Sequence, residues 1–134
     1  MNSKEIRSYK IDQLRYEELQ RICWQYRRMK QQAEELITVS QALSYTQGRR
    51  PKGGHSDPTA AAAGRREHLL KRISAIERCA KAAGKENADG LLRGVITRGS
   101  SYEILQVKGH VFCGRRQFYE MRQKFFWLLD RELS

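Results

Sequence analysis

Two long stretches of regularly spaced apolar residues, separated by one Gly- and Pro-rich segment, constrain this fold most strongly. The first stretch follows Asp12, and neither glycine nor proline occurs before Gly48. Its apolar positions recur at steps of three and four, as in a heptad seam broken only at Ser40: Leu19, Ile22, Tyr26, Met29, Ala33, Leu36 and Leu43. One helix over about 12–44, capped by Asp12, is therefore predicted, with a length of roughly 45 Å.

Segment 45–57 cannot continue that helix, because it holds three glycines and one proline. Asp57 and Pro58 then supply an N-cap and a first helical position, so a second helix is predicted over 58–83. Its seam is Ala62, Arg66, Leu69, Ile73, Ile76, Ala80 and Ala83, and Arg66 interrupts it. The pattern predicts an all-α protein whose residues 1–84 form a long antiparallel helical hairpin. Two helices alone bury little, so we expect a homo-oligomer, with a dimer favoured.

Residues 85–134 are predicted to form a helix-turn-helix domain. A third helix carries Leu91, Leu92, Val95 and Ile96. Gly90 and Gly94 weaken it by about 1 kcal/mol each relative to Ala, and the expected benefit is close approach of the terminal helix. Ser100 and Glu103 have capping-box spacing, so a short helix is predicted from Tyr102 to about Lys108. Gly109–His110 interrupts it, and a long terminal helix follows Gly114.

The terminal helix has two distinct faces. Its apolar face is Phe118, Met121, Phe125, Leu128 and Leu129, and its outward face is Arg116, Glu120, Gln123, Lys124 and Trp127. A short helix, a turn with glycine and a basic helix are the layout of a DNA-reading helix-turn-helix. A hairpin used only for packing is the alternative.

The candidate DNA contacts follow from side-chain chemistry. Arginine suits guanine, glutamine suits adenine, glutamate accepts from cytosine, and Tyr119 and Arg122 flank this face for phosphate contacts. The predicted DNA-binding residues are Arg115, Arg116, Gln117, Tyr119, Glu120, Arg122, Gln123 and Lys124. Arg49, Arg50 and Lys52 are possible phosphate contacts, although a connector is the favoured role for their segment.

Charge and cysteine usage limit the function classes. The chain has 26 Lys and Arg against 15 Asp and Glu, a net charge of +11, which favours a polyanionic partner such as nucleic acid. The three cysteines and three histidines have no ligand-like or disulfide-framework spacing, so no metal, cofactor or catalytic site is predicted. Without an apolar signal or membrane-length segment, a cytoplasmic protein is expected.

Two stretches resemble a known group of proteins. Residues 100–105 and 113–119 resemble the sigma-factor-like helix-turn-helix of phage and mobile-element late-gene regulators of the RinA and ArpU type. Residues 50–57 resemble the Pro-Lys-Gly-Gly loop between two long helices in such proteins. The resemblance implies a double-stranded DNA target, a nucleoid-associated location in a bacterial host cell and a possible contact with RNA polymerase. The departure is the turn at 109–113, which is longer and more apolar than the usual sigma-like turn.

Three functions therefore remain open. The first is a sequence-specific transcriptional regulator of a phage or mobile element. The second is a small terminase subunit for DNA packaging, which would form a ring with weak sequence preference. The third is an inhibitor that binds a host enzyme through its long helices and binds DNA poorly by itself.

Overall fold

All regular structure in the described part of the chain is helical, which confirms the predicted all-α class. The computed structural model describes residues 9–46 and 58–134. The elements are α1 (Gln13–Trp24), α2 (Tyr26–Thr46), α3 (Pro58–Gly84), a 3-10 turn (Lys85–Asn87), α4 (Ala88–Ile96), α5 (Tyr102–Val107) and α6 (Arg115–Leu133). Arg49, Arg50 and Lys52, and the side chains of Ser40 and Leu43, lie outside what the structure describes.

The first predicted helix is divided at Gln25. Asp12 caps it as expected, since its carboxylate accepts from the Arg15 backbone N–H at 3.4 Å. At Gln25 the backbone (φ −89°, ψ 0°) departs from α-helical geometry, and its N–H donates to the Ile22 carbonyl, three residues back, at 3.1 Å. The prediction of one uninterrupted helix over about 12–44 is therefore wrong at Gln25. The tightened turn has no Gly or Pro signal in the sequence.

The described chain divides into two compact units. One contains the residues up to Tyr26 together with Ser74–Ser134, and the other is Arg27–Ile73. The sequence placed a boundary at 84/85 instead. The difference has a physical reason: α1 packs on α4 and α6, so the chain before Tyr26 shares the core of the C-terminal third.

In the first unit α4 lies at the centre, against α1, α5 and α6. The fully buried side chains here include Leu19, Leu91, Phe125 and Leu129. The predicted apolar face of α6 is correct except at its edge, where Leu128 is only half-buried and Phe126 is completely buried.

Phe126 is buried because α1 lies against this side of α6. Its ring meets the Tyr16 ring edge-on at 4.8 Å between centroids. The same pair of helices is joined by an ion pair from Arg15 to Asp130 at 2.7 Å, which raises the pKa of Arg15. These contacts involve the side of α6 that periodicity alone leaves to solvent.

The second unit contains most of α2 and the first part of α3. The predicted seams are largely correct, since Met29, Ala33, Ala62 and Ile73 are buried. Leu36 and Leu69 are only half-buried, and residues of both helices line a common groove. Arg66 interrupts the seam with a buried Nε that has no hydrogen-bond partner among the described residues.

Among residues 9–46 and 58–134, no helix combines the length and apolarity that crossing a bilayer requires.

Candidate nucleic-acid interface

The short helix α5 is capped one residue later than predicted. Ser101, rather than Ser100, is the N-cap, and its hydroxyl accepts from the Ile104 backbone N–H at 3.3 Å. Glu103 consequently occupies the second helical position, where its carboxylate pairs with Arg115 at 3.0 Å instead of closing a capping box. The adjacent serines offer two registers, and the extended backbone of Ser101 selects the second.

The turn from 108 to 114 is held by side chains from elsewhere in the first unit. The Phe112 backbone N–H donates to Asn87 Oδ1 at 2.7 Å, and the Tyr102 hydroxyl donates to the Cys113 carbonyl at 2.7 Å. Asn87 and Tyr102 are both buried. Gly109 begins the turn with φ +74°, a conformation that favours glycine. The start of α6 therefore has a defined position although the turn is long.

Gly90 and Gly94 permit the close packing that the sequence suggested, but with different neighbours. A Cβ at Gly90 would lie 2.0 Å from the His110 carbonyl oxygen, so α4 touches the backbone of the turn. A Cβ at Gly94 would lie 3.0 Å from Leu105 Cδ1 and 3.2 Å from Phe118 Cζ. Only Gly94 therefore serves the predicted approach of the terminal helix.

The first turn of α6 is the exposed part of the predicted DNA-binding face. Arg115, Arg116 and Gln117 are all exposed. Arg116 pairs with Glu120 at 3.1 Å along the helix, and its side chain is 84% exposed. Arg115 lies over the Tyr119 ring at 5.4 Å from the centroid. Exposed ion pairs of this kind contribute about 0–1 kcal/mol, so both arginines can exchange partners at little cost.

The next turn of α6 is engaged with the N-terminal segment. Arg122 donates a guanidinium hydrogen bond to the Tyr16 hydroxyl, and its guanidinium lies 5.0 Å from the Phe126 ring centroid. Gln123 Nε2 donates to the Tyr9 carbonyl at 3.1 Å. Arg122 and Gln123, which were predicted to contact DNA, thus form hydrogen bonds within the chain to Tyr16 and Tyr9.

Tyr9 also covers the outward face further along α6. Its ring meets Trp127 edge-on at 5.0 Å, and the Lys124 ammonium lies 5.9 Å from its centroid. Trp127 is half-buried, so the predicted outward face is not free to solvent at this position. No sequence signal predicts this contact, because residues 1–10 are mostly polar and a single tyrosine has no periodicity.

Two cavities flank the middle of α6, one on each side. A cavity of about 280 Å³ lies between α6 and the N-terminal segment, and its lining includes Tyr119 and Arg122. A cavity of about 240 Å³ lies beside the 3-10 turn, lined by Gln117, Glu120 and Lys124 among others. Of the predicted residues on this helix, Arg115, Arg116, Gln117 and Tyr119 are exposed, and the others are half-buried.

The cysteines have the character of buried apolar side chains. Burial raises the pKa of Cys79 to about 12 and raises that of Cys23 further. Burial also raises the pKa of the half-buried Cys113. The described cysteines are free thiols, and within the described residues no cluster of three His, Cys, Asp or Glu side chains suits a metal ion.

Comparisons of the sequence with known protein families, with curated proteins and with solved structures gave no match.

Proposed function

We propose that this protein is a sequence-specific, double-stranded DNA-binding transcriptional regulator of a phage or mobile element. It acts as a homo-oligomer in the cytoplasm of a bacterial host, with the first turn of α6 in the major groove. The observation that carries the proposal is the exposure of Arg115, Arg116 and Gln117 together at the start of a helix whose preceding turn is fixed. In helix-turn-helix proteins, base edges are met by the N-terminal residues of the recognition helix.

The chemistry of this turn suits base reading with phosphate support. Arginine can donate two hydrogen bonds to guanine O6 and N7, and glutamine can pair with adenine N6 and N7. Lys108, exposed at the end of α5, adds a cation beside the turn for a phosphate contact. Glu120 orients Arg116 in the free protein and is available to accept from cytosine N4.

The structure also suggests a division of roles among the remaining candidates. Arg122, Gln123 and Lys124 hold Tyr9 and Tyr16 against α6, so their replacement disturbs the support of the helix as well as any DNA contact. Tyr119, 39% exposed, lies between these two sets. We therefore assign base reading to the first turn and positioning to the second.

A pair of arginine variants on one helix tests the proposal. Arg116→Ala should weaken binding to a selected duplex by about 1–3 kcal/mol, roughly 5–150-fold, and relax preference at one base pair. Arg131→Ala is the matched control, since it removes the same charge about 22 Å further along α6. Its guanidinium lies over Trp127 at 4.6 Å, away from the first turn.

Fluorescence anisotropy against selected and scrambled duplexes at two salt concentrations separates the outcomes. Base reading requires a loss at Arg116 that is larger on the selected duplex than on the scrambled one. Equal, sequence-blind losses for both variants would reject base reading, because they reflect only net charge. Failure of the folded wild type to bind any duplex would reject the DNA-binding function.

A specific observation favours a protein-binding role as the second candidate. Val107 and Phe112 are 86% and 82% exposed, and Ile104 on the same short helix as Val107 is 46% exposed. Large exposed apolar side chains in one region mark contact sites for proteins. RNA polymerase or another host protein is the partner class for this surface. Loss of partner binding in Phe112→Ser with DNA binding intact would identify this role.

A further inference from the structure

The second unit leaves an apolar groove between α2 and α3. Its volume is about 700 Å³, and Leu36 and Leu69 lie in its lining. Both leucines are half-buried although they occupy seam positions, whereas their seam neighbours Ala33 and Ile73 are buried. Two helices cover each other on one side only. Apolar seam residues such as Leu36 and Leu69 are therefore fully buried only when further helices pack against the pair.

The polar rims of the groove carry opposite charges. Glu35 is exposed on the α2 rim, and Arg65 is exposed on the α3 rim with His68 one turn further along. Among the described residues, neither Glu35 nor Arg65 forms an ion pair, although Glu35 accepts a hydrogen bond from Gln31 at 3.4 Å. Because both residues line the same groove, they lie on the face that a second copy would cover.

This arrangement is complementary to itself under one symmetry. If a twofold axis runs parallel to the helices, α2 of one copy faces α3 of the other, and Glu35 of each copy meets Arg65 of its partner. A twofold axis across the helices would instead place α2 on α2 and bring like charges together. The charge pattern therefore selects the first geometry.

The groove also allows the second copy to approach closely. Gly64 lies in its lining, and a Cβ built there meets no atom within 4 Å. Helix axes come nearest where the side chains between them are small. We propose that a second copy of this chain occupies the groove, so that two α2–α3 pairs form a four-helix bundle with Leu36 and Leu69 in its core.

Mixing two charge-reversed variants tests this proposal. Glu35→Arg alone places two arginines at each contact, and Arg65→Glu alone places two glutamates there. Each variant should dimerise at least roughly tenfold more weakly than the wild type in sedimentation equilibrium. An equimolar mixture should regain the wild-type dimer mass, because each contact in the heterodimer again joins opposite charges.

Controls separate this outcome from loss of folding and from a general charge effect. Glu34→Arg makes the same charge change on the neighbouring exposed residue of α2, outside the groove lining, and should leave the dimer intact. Circular dichroism and thermal melting should show that all variants stay helical. Leu36→Ala should also weaken the dimer, and mixing it with either charge-reversed variant should not restore the wild-type dimer mass.

Several results would overturn the inference. One is a wild type that remains monomeric at high micromolar concentration, which would leave the groove to a helix from a different protein. Another is a mixture that stays as weak as its components, and a third is a dimer that neither variant weakens. The masses are measured without DNA, so failure here is distinct from failure of the proposed DNA-binding function.

Discussion

Replacing Gly90 with alanine is expected to displace the turn that positions α6. The added Cβ would lie 2.0 Å from the His110 carbonyl oxygen and 2.5 Å from Val111 Cγ1. Real Cβ atoms are essentially never found within 3.0 Å of such neighbours, so the turn must retreat by at least about 1 Å. That movement would stretch the 2.7 Å hydrogen bond from the Phe112 N–H to Asn87 Oδ1 beyond bonding range.

The net cost can be worked from three contributions. Overpacking costs about 1–3 kcal/mol, and an unsatisfied buried polar group costs about 1–3 kcal/mol. Alanine regains about 1 kcal/mol of helix propensity over glycine. Gly90→Ala should therefore lower the free energy of unfolding by roughly 1–5 kcal/mol and Tm by roughly 3–20 °C.

Gly64→Ala provides the matched control. Gly64 also lies within a helix, but within one copy of the chain an added Cβ there meets no atom within 4 Å, so in monomeric protein only the propensity gain of about 1 kcal/mol remains. At concentrations where the protein is monomeric, urea unfolding and thermal melting should show that Gly90→Ala is less stable than the wild type and that Gly64→Ala is more stable. A Gly90→Ala protein that melts within about 2 °C of the wild type would refute the close contact between α4 and the turn.

Two further outcomes follow from shifted pKa values. Burial and the 2.9 Å hydrogen bond to Glu77 raise the pKa of Tyr26 to about 12, above its unfolded value of about 10. Tyr26→Phe should therefore cost about 1 kcal/mol at pH 8, and this difference should shrink as the pH rises from about 10 towards 12. A difference that stays constant across that range in urea titrations would contradict the hydrogen bond. Brief alkylation of the folded protein at pH 8 should label Cys113 first, since Cys23 and Cys79 are buried. In denaturant all three cysteines should react. Labelling of Cys23 before Cys113 in the folded protein would refute the packing of α1.

Local patterns were sufficient to predict most of the helices. Steps of three and four placed Phe118, Met121 and Phe125 on the buried face of α6, because a helix repeats every 3.6 residues whatever its surroundings. Asp12 was identified as a cap from its side-chain chemistry alone. The conformation of Gly109 likewise follows from a residue type that tolerates positive φ.

The same patterns could not predict which surface of α6 would be free. Arg122 and Gln123 look like solvent-facing side chains until Tyr9 and Tyr16, more than a hundred residues earlier, are placed beside them. That meeting depends on how α1 packs against α4 and α6, and no local period encodes it. We therefore limit the proposed base-reading residues to those in the first turn of the helix.

The sequence by itself determined the helical class, the approximate extents of the helices and the basic character of α6, because these depend on interactions within a few residues. Only the tertiary structure decided that the N-terminal helix belongs with the C-terminal third, and that Asn87 and Gly90 hold the turn. Those features depend on contacts between residues far apart in sequence, whose energies come from shape and distance in the folded chain.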